Sequence, residues 1–254
     1  MTSSGSDTGS SATTRRDPDS PASPFDAFSH DYDEALNAGL SLSGETPAFF
    51  ARERLKWLAR RLLEMGVSVR SVVDYGCGKG SATPLFFELL DAERVTGVDA
   101  SEKLLEMARA THASDRAVFL SRAGYEPAAR EDLVFCNGVF HHVPPPHRPA
   151  EISAILDSLK PGGLLALWEN NPWNPAARLV MSRVAFDAGA VTLTPPETRR
   201  LVEGGGFEVL RTDFLFIFPR VLRSLRGIEP ALVRFPLGAQ YQVLCRKPAG
   251  AGRG

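Results

Sequence analysis

Three glycines follow a short apolar run that ends in an acidic residue, within the stretch VVDYGCGKGSAT at residues 72–83. Gly76, Gly78 and Gly80 are separated by single residues, and Asp74 lies two positions before the first of them. A glycine-rich turn between a first strand and its helix lets a ligand approach the backbone closely. The spacing therefore predicts a ligand site at this turn.

The charge and spacing of the turn decide between ligand classes. Dinucleotides and S-adenosylmethionine (SAM) both use such turns, but dinucleotide sites have the spacing GxGxxG, and Ser81 stands where the third glycine would fall. The carboxylate of Asp74 is a poor neighbour for a pyrophosphate and a suitable one for a sulfonium or ammonium group. The turn also lacks the pattern GxxxxGK[ST], so its spacing excludes a P-loop at Lys79.

Two more polar residues stand where later strands are predicted to end. Asp99 closes the run VTGVD, 19 residues after Gly80. A carboxylate there can accept hydrogen bonds from both ribose hydroxyls, which supports an adenosine ligand of either class. The alternative is that Asp99 caps the next helix, but Ser101 fills that role better. Asn137 ends the run DLVFCN, and ligands of open α/β sheets bind at the carboxyl ends of strands.

Short apolar runs alternate with segments of helical periodicity. Strands are predicted at 71–74, 94–98, 117–120, 132–137 and 163–168, and helices at 46–66, 81–91, 101–112 and 149–160. Further helices are expected at 175–185 and 196–204, and two antiparallel edge strands at 204–216 and 238–248. The predicted fold class is α/β: a Rossmann-like, doubly wound, seven-stranded sheet with an antiparallel last strand and helices on both faces.

The domain organisation follows from composition. Residues 1–24 are polar and of low complexity, which predicts a disordered tail. A single domain is expected over 25–248, followed by a flexible tail at 249–254. Within the domain we expect a helical cap at 25–66, a cofactor-binding core at 67–170 and a substrate-side region with the last strands at 171–248.

The composition of the 254-residue chain excludes several classes of protein. A formal net charge of -1 gives no basic field for nucleic acid. Three cysteines without a CxxC pair predict no disulfide framework, and Cys77 and Cys136 are expected to be small buried residues. We find no signal peptide and no run of about 18 apolar residues. We therefore expect a cytoplasmic protein with no membrane span and no nucleic-acid partner.

Four segments, in their order and separation, resemble those of class I SAM-dependent methyltransferases. They are DYGCGKG, VDAS, DLVFCNGVFHHV and LKPGGLLAL, and the resemblance covers residues 45–170. The style is closest to the small-molecule methyltransferases of ubiquinone and menaquinone biosynthesis (methyltransferase type 11/12). The resemblance implies that SAM binds across the first, second and fourth strand ends and leaves as S-adenosylhomocysteine.

The resemblance also implies roles for particular residues. The glycines would wrap the methionine part of SAM, Asp99 would hold the ribose, and Ala100 would lie against adenine. The stretch SRAGYEP departs from the acidic adenine-contact segment of the family, so Ala123 or Gly124 would contact adenine through backbone. The full predicted cofactor set is Tyr32, Asp74, Gly76, Cys77, Gly78, Gly80, Asp99, Ala100, Ser101, Asn137 and Phe140.

Some of these roles have alternatives. The segment FDAFSHDYDEAL resembles one that folds over the cofactor in this family, which would bring Tyr32 to the site. The aromatic residues of this segment have helical spacing, so Tyr32 could equally pack on the sheet.

Methyl transfer from SAM is an in-line displacement on an activated donor, so orientation and exclusion of water can supply much of the catalysis. A general base helps when the acceptor is a hydroxyl or a carbon acid. His141 and His142 are the predicted catalytic residues, with Glu169 and Tyr32 as other candidates. A metal site built from His141, His142, His147 and Glu169 is a weaker alternative, because adjacent histidines seldom point at one ion. We predict no metal.

The expected function is SAM-dependent transfer of a methyl group to a small molecule, with O-methylation favoured. Clustered aromatic residues suggest an apolar or aromatic acceptor, namely Trp168, Trp173, Phe214, Phe216 and Phe218. The alternative for FLFIF at 214–218 is a buried edge strand. Two other functions stay open: a non-catalytic SAM-binding or interaction protein with the same fold, and an NAD-dependent oxidoreductase.

Overall fold

A computed structural model describes residues 39–40, 43–184 and 187–250. The predictions for the tail at 1–24, for Tyr32 and for 251–254 lie outside the described residues. Among the described helices, none is both long and apolar enough to cross a membrane.

Seven strands form one sheet in the order β3-β2-β1-β4-β5-β7-β6. Their bounds are β1 Ser71–Tyr75, β2 Arg94–Asp99, β3 Ala117–Ser121, β4 Glu131–Asn137, β5 Leu159–Asn170, β6 Glu208–Leu215 and β7 Gln240–Arg246. β1 to β5 pair in parallel, whereas β7 lies between β5 and β6 and is antiparallel to both. The predicted seven-stranded sheet with an antiparallel last strand is confirmed. Its strand order reverses between β1 and β4, the place where ligands bind in such sheets.

Helices connect the strands and cover both faces of the sheet. Their bounds are α1 Pro47–Glu64, α2 Thr83–Leu90, α3 Glu102–His112, α4 Arg148–Ser158, α5 Pro175–Met181, α6 Pro195–Gly204 and α7 Glu229–Leu232, with 3₁₀ segments at Pro145–His147 and Arg220–Ile228. The Thr46 hydroxyl caps α1 by accepting from the Phe49 N–H at 3.2 Å, and Pro47 occupies the first turn. Gly66 takes a left-handed φ of 64° just beyond the helix, as its predicted capping role requires.

Alternate residues of the strands face two separate cores. Val73 of β1 packs with Ile152 and Ile155 of α4, whereas its neighbour Val72 packs with Leu58 of α1. The same alternation along β5 places its residues in the two clusters in turn. Both faces of the sheet are therefore covered, and the carboxyl ends of its strands are left accessible to a ligand.

Three predicted elements need correction. The LKPGG segment, expected as a turn before the fifth strand, is part of β5: a register shift sets Leu159 opposite Glu131 and Leu164 opposite Leu133, and Gly162 supplies a φ of 80° within the bulge. The helix predicted at 175–185 ends at Met181. The strand predicted at 204–216 begins only at Glu208, because Gly204 ends α6 and a two-glycine turn follows.

The burial of the side chains bears on the roles expected for the cysteines and for two of the aromatic residues. Cys77, Cys136 and Cys245 are buried and unbridged, as expected for the first two. Trp168 and Phe214 are buried core residues, so they do not belong to a recognition surface as the sequence suggested.

One buried hydrogen bond ties α1 to the edge strand β6. The Trp57 indole N–H donates to Asp213 Oδ2 at 3.0 Å, and Asp213 is fully buried. Asp213 also accepts from Arg211 Nη2 at 2.9 Å, so its carboxylate links the side chains of Trp57 and Arg211. Since β6 is an edge strand, this bond fixes the position of α1 over the sheet.

We expect Trp57→Phe to lower the free energy of unfolding by about 1–3 kcal/mol, because a buried carboxylate would lose a donor while most of the ring volume is kept. Urea unfolding followed by circular dichroism measures the change. The matched control is Trp173→Phe, whose indole is half exposed, and which should change stability by about 0.5 kcal/mol or less. Equal losses in the two variants would contradict the role given to the bond.

Candidate cofactor and active site

A cavity of about 250 Å³ lies at the strand ends where the sheet order reverses. The turn after β1 contributes Gly76 and Gly78, the end of β2 contributes Asp99 and Ala100, and the end of β4 contributes Asn137. Further polar lining comes from α1, from the end of β5 and from the segments after β4 and α5: it consists of Arg54, Glu169, Asn170, His141, His142 and Asp187. The cavity thus collects its polar groups from elements that are far apart in sequence.

The three glycines of the turn all have left-handed φ angles, of 79°, 53° and 72° for Gly76, Gly78 and Gly80. A Cβ on Gly76 would lie 2.2 Å from Val139 Cγ2, so this glycine is needed for packing against the β4 loop. A Cβ on Gly78 would meet no described atom within 4 Å, because Gly78 borders the cavity. Gly76 is therefore required by the packing of the turn, whereas Gly78 leaves its backbone accessible to a ligand.

The Asp99 carboxylate is held in a fixed orientation at the end of β2. Its Oδ2 accepts from the Gly78 N–H and its Oδ1 from the Ser101 N–H, each at 2.8 Å. A carboxylate has about four lone-pair sites, so it can accept more hydrogen bonds than these two. The group is half-buried in the cavity wall and suits a neighbouring pair of hydroxyls.

Asp74 is buried below the cavity rather than in its lining. Burial, and to a lesser extent the charge of Asp99, raise the pKa of Asp74 to about 7, with Arg54 acting in the opposite direction. A cation bound nearby would favour the ionised carboxylate. The predicted contact between Asp74 and an amino group remains a prediction.

A buried chain of charged side chains borders the other side of the cavity. His141 Nδ1 lies 2.5 Å from Glu169 Oε2, and the Phe140 N–H donates to Glu169 Oε1 at 2.8 Å. Nε2 of His141 and Nε2 of His142 face the same oxygen, Asp187 Oδ1, at 3.5 and 3.3 Å. Glu169 therefore fixes the orientation of the His141 ring, as a carboxylate does for a catalytic histidine.

The neighbouring carboxylates decide the charge of His141. Burial by itself would lower the pKa of His141, but Glu169 and Asp187 outweigh it and raise this pKa to about 10. Burial likewise acts to raise the pKa of Asp187, but hydrogen bonds from His141 and His142 hold it below its usual value. At neutral pH, His141 is an imidazolium between two carboxylates.

The structure brings seven of the predicted site residues into the cavity lining: Gly76, Gly78, Asp99, Ala100, Asn137, His141 and His142. It does not bring Asp74 there, as described above, and Tyr32 lies outside the described residues. The other predicted residues lie next to the cavity, where they pack or cap the elements that form it.

Four predicted residues have structural roles next to the site. A Cβ on Gly80 would lie 2.9 Å from the Phe119 ring, so Gly80 packs against β3. The Cys77 side chain joins a core cluster, and Phe140 is fully buried and reaches the site only through its N–H. Ser101 caps α3 by accepting from the Leu104 N–H at 3.3 Å.

Sequence reasoning missed Arg54 and Asp187. Arg54 occurs in a helix read for its apolar stripe, and Asp187 in a stretch without a recognisable motif. The sequence marked Glu169 only as one candidate base, although it lies next to the last residue of β5, much as Asn137 ends β4. The signal that could have identified Glu169 is the presence of a polar residue at the carboxyl end of a buried strand.

The group of side chains that could hold a metal ion contains Asp187 in place of the expected Glu169 and His147. His141, His142 and Asp187 offer ligand atoms that all lie within 4.8 Å of one another. His147 is exposed in a 3₁₀ turn and is not part of this group. The prediction that no metal is used stays a prediction.

Comparisons with known proteins agree with this geometry. Residues 72–163 match a family model described as "Methyltransferase domain". A trans-aconitate 2-methyltransferase of Rhodopseudomonas palustris (strain BisB18) is 33% identical over 117 residues, which are 46% of this chain and 45% of the relative. The enzyme of the same name from Azoarcus sp. (strain BH72) is 35% identical over 130 residues, 49% of this chain and 51% of the relative. The chain thus spans about half the length of the curated relatives that it matches.

A solved structure supports the fold over a longer span. A TehB-like SAM-dependent methyltransferase from Corynebacterium glutamicum superposes with a TM-score of 0.57 at 16% identity, covering 87% of this chain and 98% of that one. The fold is the Rossmann-like fold of class I methyltransferases. The matched domain and the site residues at the strand ends thus make this chain similar to class I SAM-dependent methyltransferases.

We expect substitutions at two glycines of the turn to have opposite effects. Gly76→Ala should lower the free energy of unfolding by about 3 kcal/mol or more, because the methyl group would collide with Val139 and the φ angle is left-handed. Gly78→Ala should cost only about 1–2 kcal/mol of stability, but its methyl group would enter the cavity and weaken binding of S-adenosylhomocysteine.

Urea unfolding and calorimetric titration, applied to both variants, separate the two effects. If Gly78→Ala bound S-adenosylhomocysteine as tightly as the unaltered chain, the turn would not be a ligand contact.

Proposed function

We propose that this chain transfers a methyl group from SAM to a small-molecule acceptor, with O-methylation favoured. One observation carries the proposal: a single cavity contains the oriented Asp99 carboxylate on one side and the Glu169–His141 pair on the other. The first suits an adenosine ligand and the second suits an acceptor that loses a proton. SAM and S-adenosylhomocysteine are the corresponding substrate and product.

The residues of the glycine turn and of the β2 end would hold the cofactor. The backbone at Gly76 and Gly78 would lie against its methionine part, Asp99 would accept hydrogen bonds from the ribose hydroxyls, and Ala100 would leave room for the adenine. Asn137 borders the same cavity from β4 and would lie near the sulfonium. When bound, SAM supplies an activated methyl group, so the protein's task is mainly to orient the acceptor and exclude water.

His141 is the residue best placed to take a proton from the acceptor. Glu169 favours a proton on Nδ1, which leaves the Nε2 lone pair on the side of Asp187. Because the same carboxylates raise the pKa of His141, only a minor fraction of the side chain is neutral near pH 7, and that fraction grows with pH. His142 contacts Asp187 and lines the cavity, and it is the second candidate base.

The charges of the cavity favour an uncharged acceptor. Asp99, Glu169 and Asp187 contribute carboxylates to the lining, against the Arg54 guanidinium and the two histidines. The relatives are named for trans-aconitate, and a multiply charged anion would meet repulsion from these carboxylates. We therefore favour an apolar or aromatic small molecule with a hydroxyl group. A non-catalytic SAM-binding protein would need no acceptor space or proton acceptor, and the described residues provide both.

Calorimetric titration with SAM and with S-adenosylhomocysteine tests the cofactor assignment. We expect micromolar binding, weakened about 10- to 100-fold in Asp99→Asn, because hydrogen bonds to a charged group contribute about 1.5–3 kcal/mol. Asp115→Asn, at an exposed position outside the cavity, is the matched control and should bind normally. Absence of binding by both ligands to the folded chain would overturn the proposal, and tighter binding of NAD would support an oxidoreductase instead.

The pH dependence of His141 tests the charged chain. Since its pKa of about 10 in the folded chain exceeds the unfolded value of about 6.5, its stabilising contribution is complete below pH 6.5 and lost as pH rises to 10. In Asp187→Asn, one of the two carboxylates is gone and this pKa should fall. NMR of ¹³C-labelled histidine follows the titration directly, and methyl transfer should rise with pH over the same range. Dialysis against EDTA should change neither result. A His141 that titrates near pH 6.5 in the unaltered chain would contradict the assignment.

A further inference from the structure

A second cavity of about 460 Å³ adjoins the cofactor cavity. Both cavities are lined by Leu40, Phe50, Asn170, Val180 and Gln240, which form a common wall. The volume lies within the range of pockets that bind small organic molecules. A molecule in the second cavity would therefore lie directly beside the cofactor.

The wall of the second cavity is largely aromatic and apolar. Phe49, Phe50 and Trp57 come from α1, and Phe216 and Phe218 come from the segment after β6. The Phe50 and Phe216 rings pack edge to face, with centroids 4.9 Å apart and planes at 77°. This surface matches an aromatic or apolar body rather than a polar one.

The charged groups around this cavity are already paired within the described residues. Arg226 lies 2.9 Å from Glu45, donates to the Phe218 carbonyl at 3.1 Å and stacks over the Phe49 ring at 4.7 Å. Lys56 pairs with Glu53 at 2.7 Å, Arg60 with Glu64 at 3.2 Å, and Glu229 accepts from the Phe218 N–H at 2.9 Å. Every cation described here in the wall already has a partner in the protein. The wall therefore gives an anionic ligand little to bind.

One polar atom in the common wall lacks a partner among the described residues. Gln240 Nε2 donates to Asn170 Oδ1 at 3.1 Å, which fixes the orientation of the amide, and the buried Gln240 Oε1 accepts no hydrogen bond. A buried carbonyl without a donor costs about 1–3 kcal/mol. A rotation of the Gln240 amide that turned this enclosed oxygen toward the cavity would let a hydroxyl or N–H group of a ligand remove this cost.

The backbone beside the cavity is strained at Phe216, a non-glycine residue with a φ of 64°. Such a conformation costs of order 1–3 kcal/mol and is found preferentially at functional sites. It follows the end of β6, where the Ala239 N–H donates to the Phe216 carbonyl at 3.2 Å. This conformation accompanies the edge-to-face contact of the Phe216 ring with Phe50.

We propose that the second cavity binds the methyl acceptor, an uncharged molecule with an aromatic body and a hydroxyl group, and that Gln240 Oε1 accepts a hydrogen bond from it. This inference rests on the proposed methyl transfer. The acceptor oxygen forms a bond to the methyl carbon with its own electron pair, and the carbon–sulfur bond of SAM breaks with its pair left on sulfur. Gln240 Oε1 only orients the hydroxyl before the transfer: as the new bond forms, the hydroxyl proton leaves Gln240 Oε1 and passes to neutral His141, which lines the cofactor cavity with Gln240.

Calorimetric titration of the full chain, saturated with S-adenosylhomocysteine, tests the cavity with phenol, 2-naphthol and 9-phenanthrol as probes. We expect at least one of these hydroxyarenes to bind, and trans-aconitate not to bind. Ala176→Trp fills the second cavity from α5 without touching the cofactor cavity, so it should weaken hydroxyarene binding at least about tenfold and leave S-adenosylhomocysteine binding unchanged. Ala150→Trp, exposed on α4 and outside both cavities, is the matched control.

A second variant tests the polar contact. Gln240→Leu should reduce the preference for 2-naphthol over naphthalene about three- to tenfold, because the hydroxyl loses its acceptor. The preference should be unchanged in Ala150→Trp.

The outcomes separate this inference from the proposed function. If S-adenosylhomocysteine binds but no hydroxyarene does, the inference is overturned and the cofactor assignment stands. This result would follow if another part of the chain filled the cavity. Unchanged hydroxyarene affinity in Ala176→Trp, or tight binding of trans-aconitate, also overturns it. If S-adenosylhomocysteine itself fails to bind, the proposed function falls.

Discussion

The close approach of the glycine turn to its neighbours is the constraint on which the site depends. The N–H groups of Gly76 and Cys77 both donate to the Val98 carbonyl of β2, at 2.7 and 3.1 Å, and Gly76 has no side chain where Val139 lies. The turn is thus fixed to β2 on one side and to the β4 loop on the other. Because the Gly78 N–H then holds Asp99, one backbone conformation sets the positions of three strand ends at once.

The charged chain on the opposite wall combines stability with chemistry. Removing one partner from a buried ion pair costs about 3–5 kcal/mol, so Glu169, His141 and Asp187 hold one another in place. The same attraction keeps His141 protonated at neutral pH, which limits its use as a base. An acceptor that displaced Asp187 from Nε2 would lower the pKa of His141, so substrate binding itself could release the base for catalysis.

Local patterns in the sequence predicted which strand ends line the cofactor cavity, and contacts between distant parts of the chain explain the residues that they missed. Apolar runs and glycine spacing marked the strand ends, including Asp99 and Asn137, because those signals lie within a few residues of each other. Trp168 was misread because its side chain follows the two-residue period of β5 and faces the core with Leu164. Asp187 and Gln240 reach the site only through the folding of the last third of the chain, which no local pattern describes.

The two cavities draw on different parts of the chain, and this bears on acceptor choice. The turn, Asp99, Asn137 and the histidines lie within the span of 72–163 that matches the methyltransferase domain, whereas the aromatic wall residues of the second cavity lie outside it, in α1 and in the region after β6. The relatives match only about half of this chain, so their acceptor does not fix the one used here. Under the proposed function, backbone geometry sets the cofactor cavity and side-chain packing sets the acceptor cavity. The acceptor can then change while the chemistry stays the same.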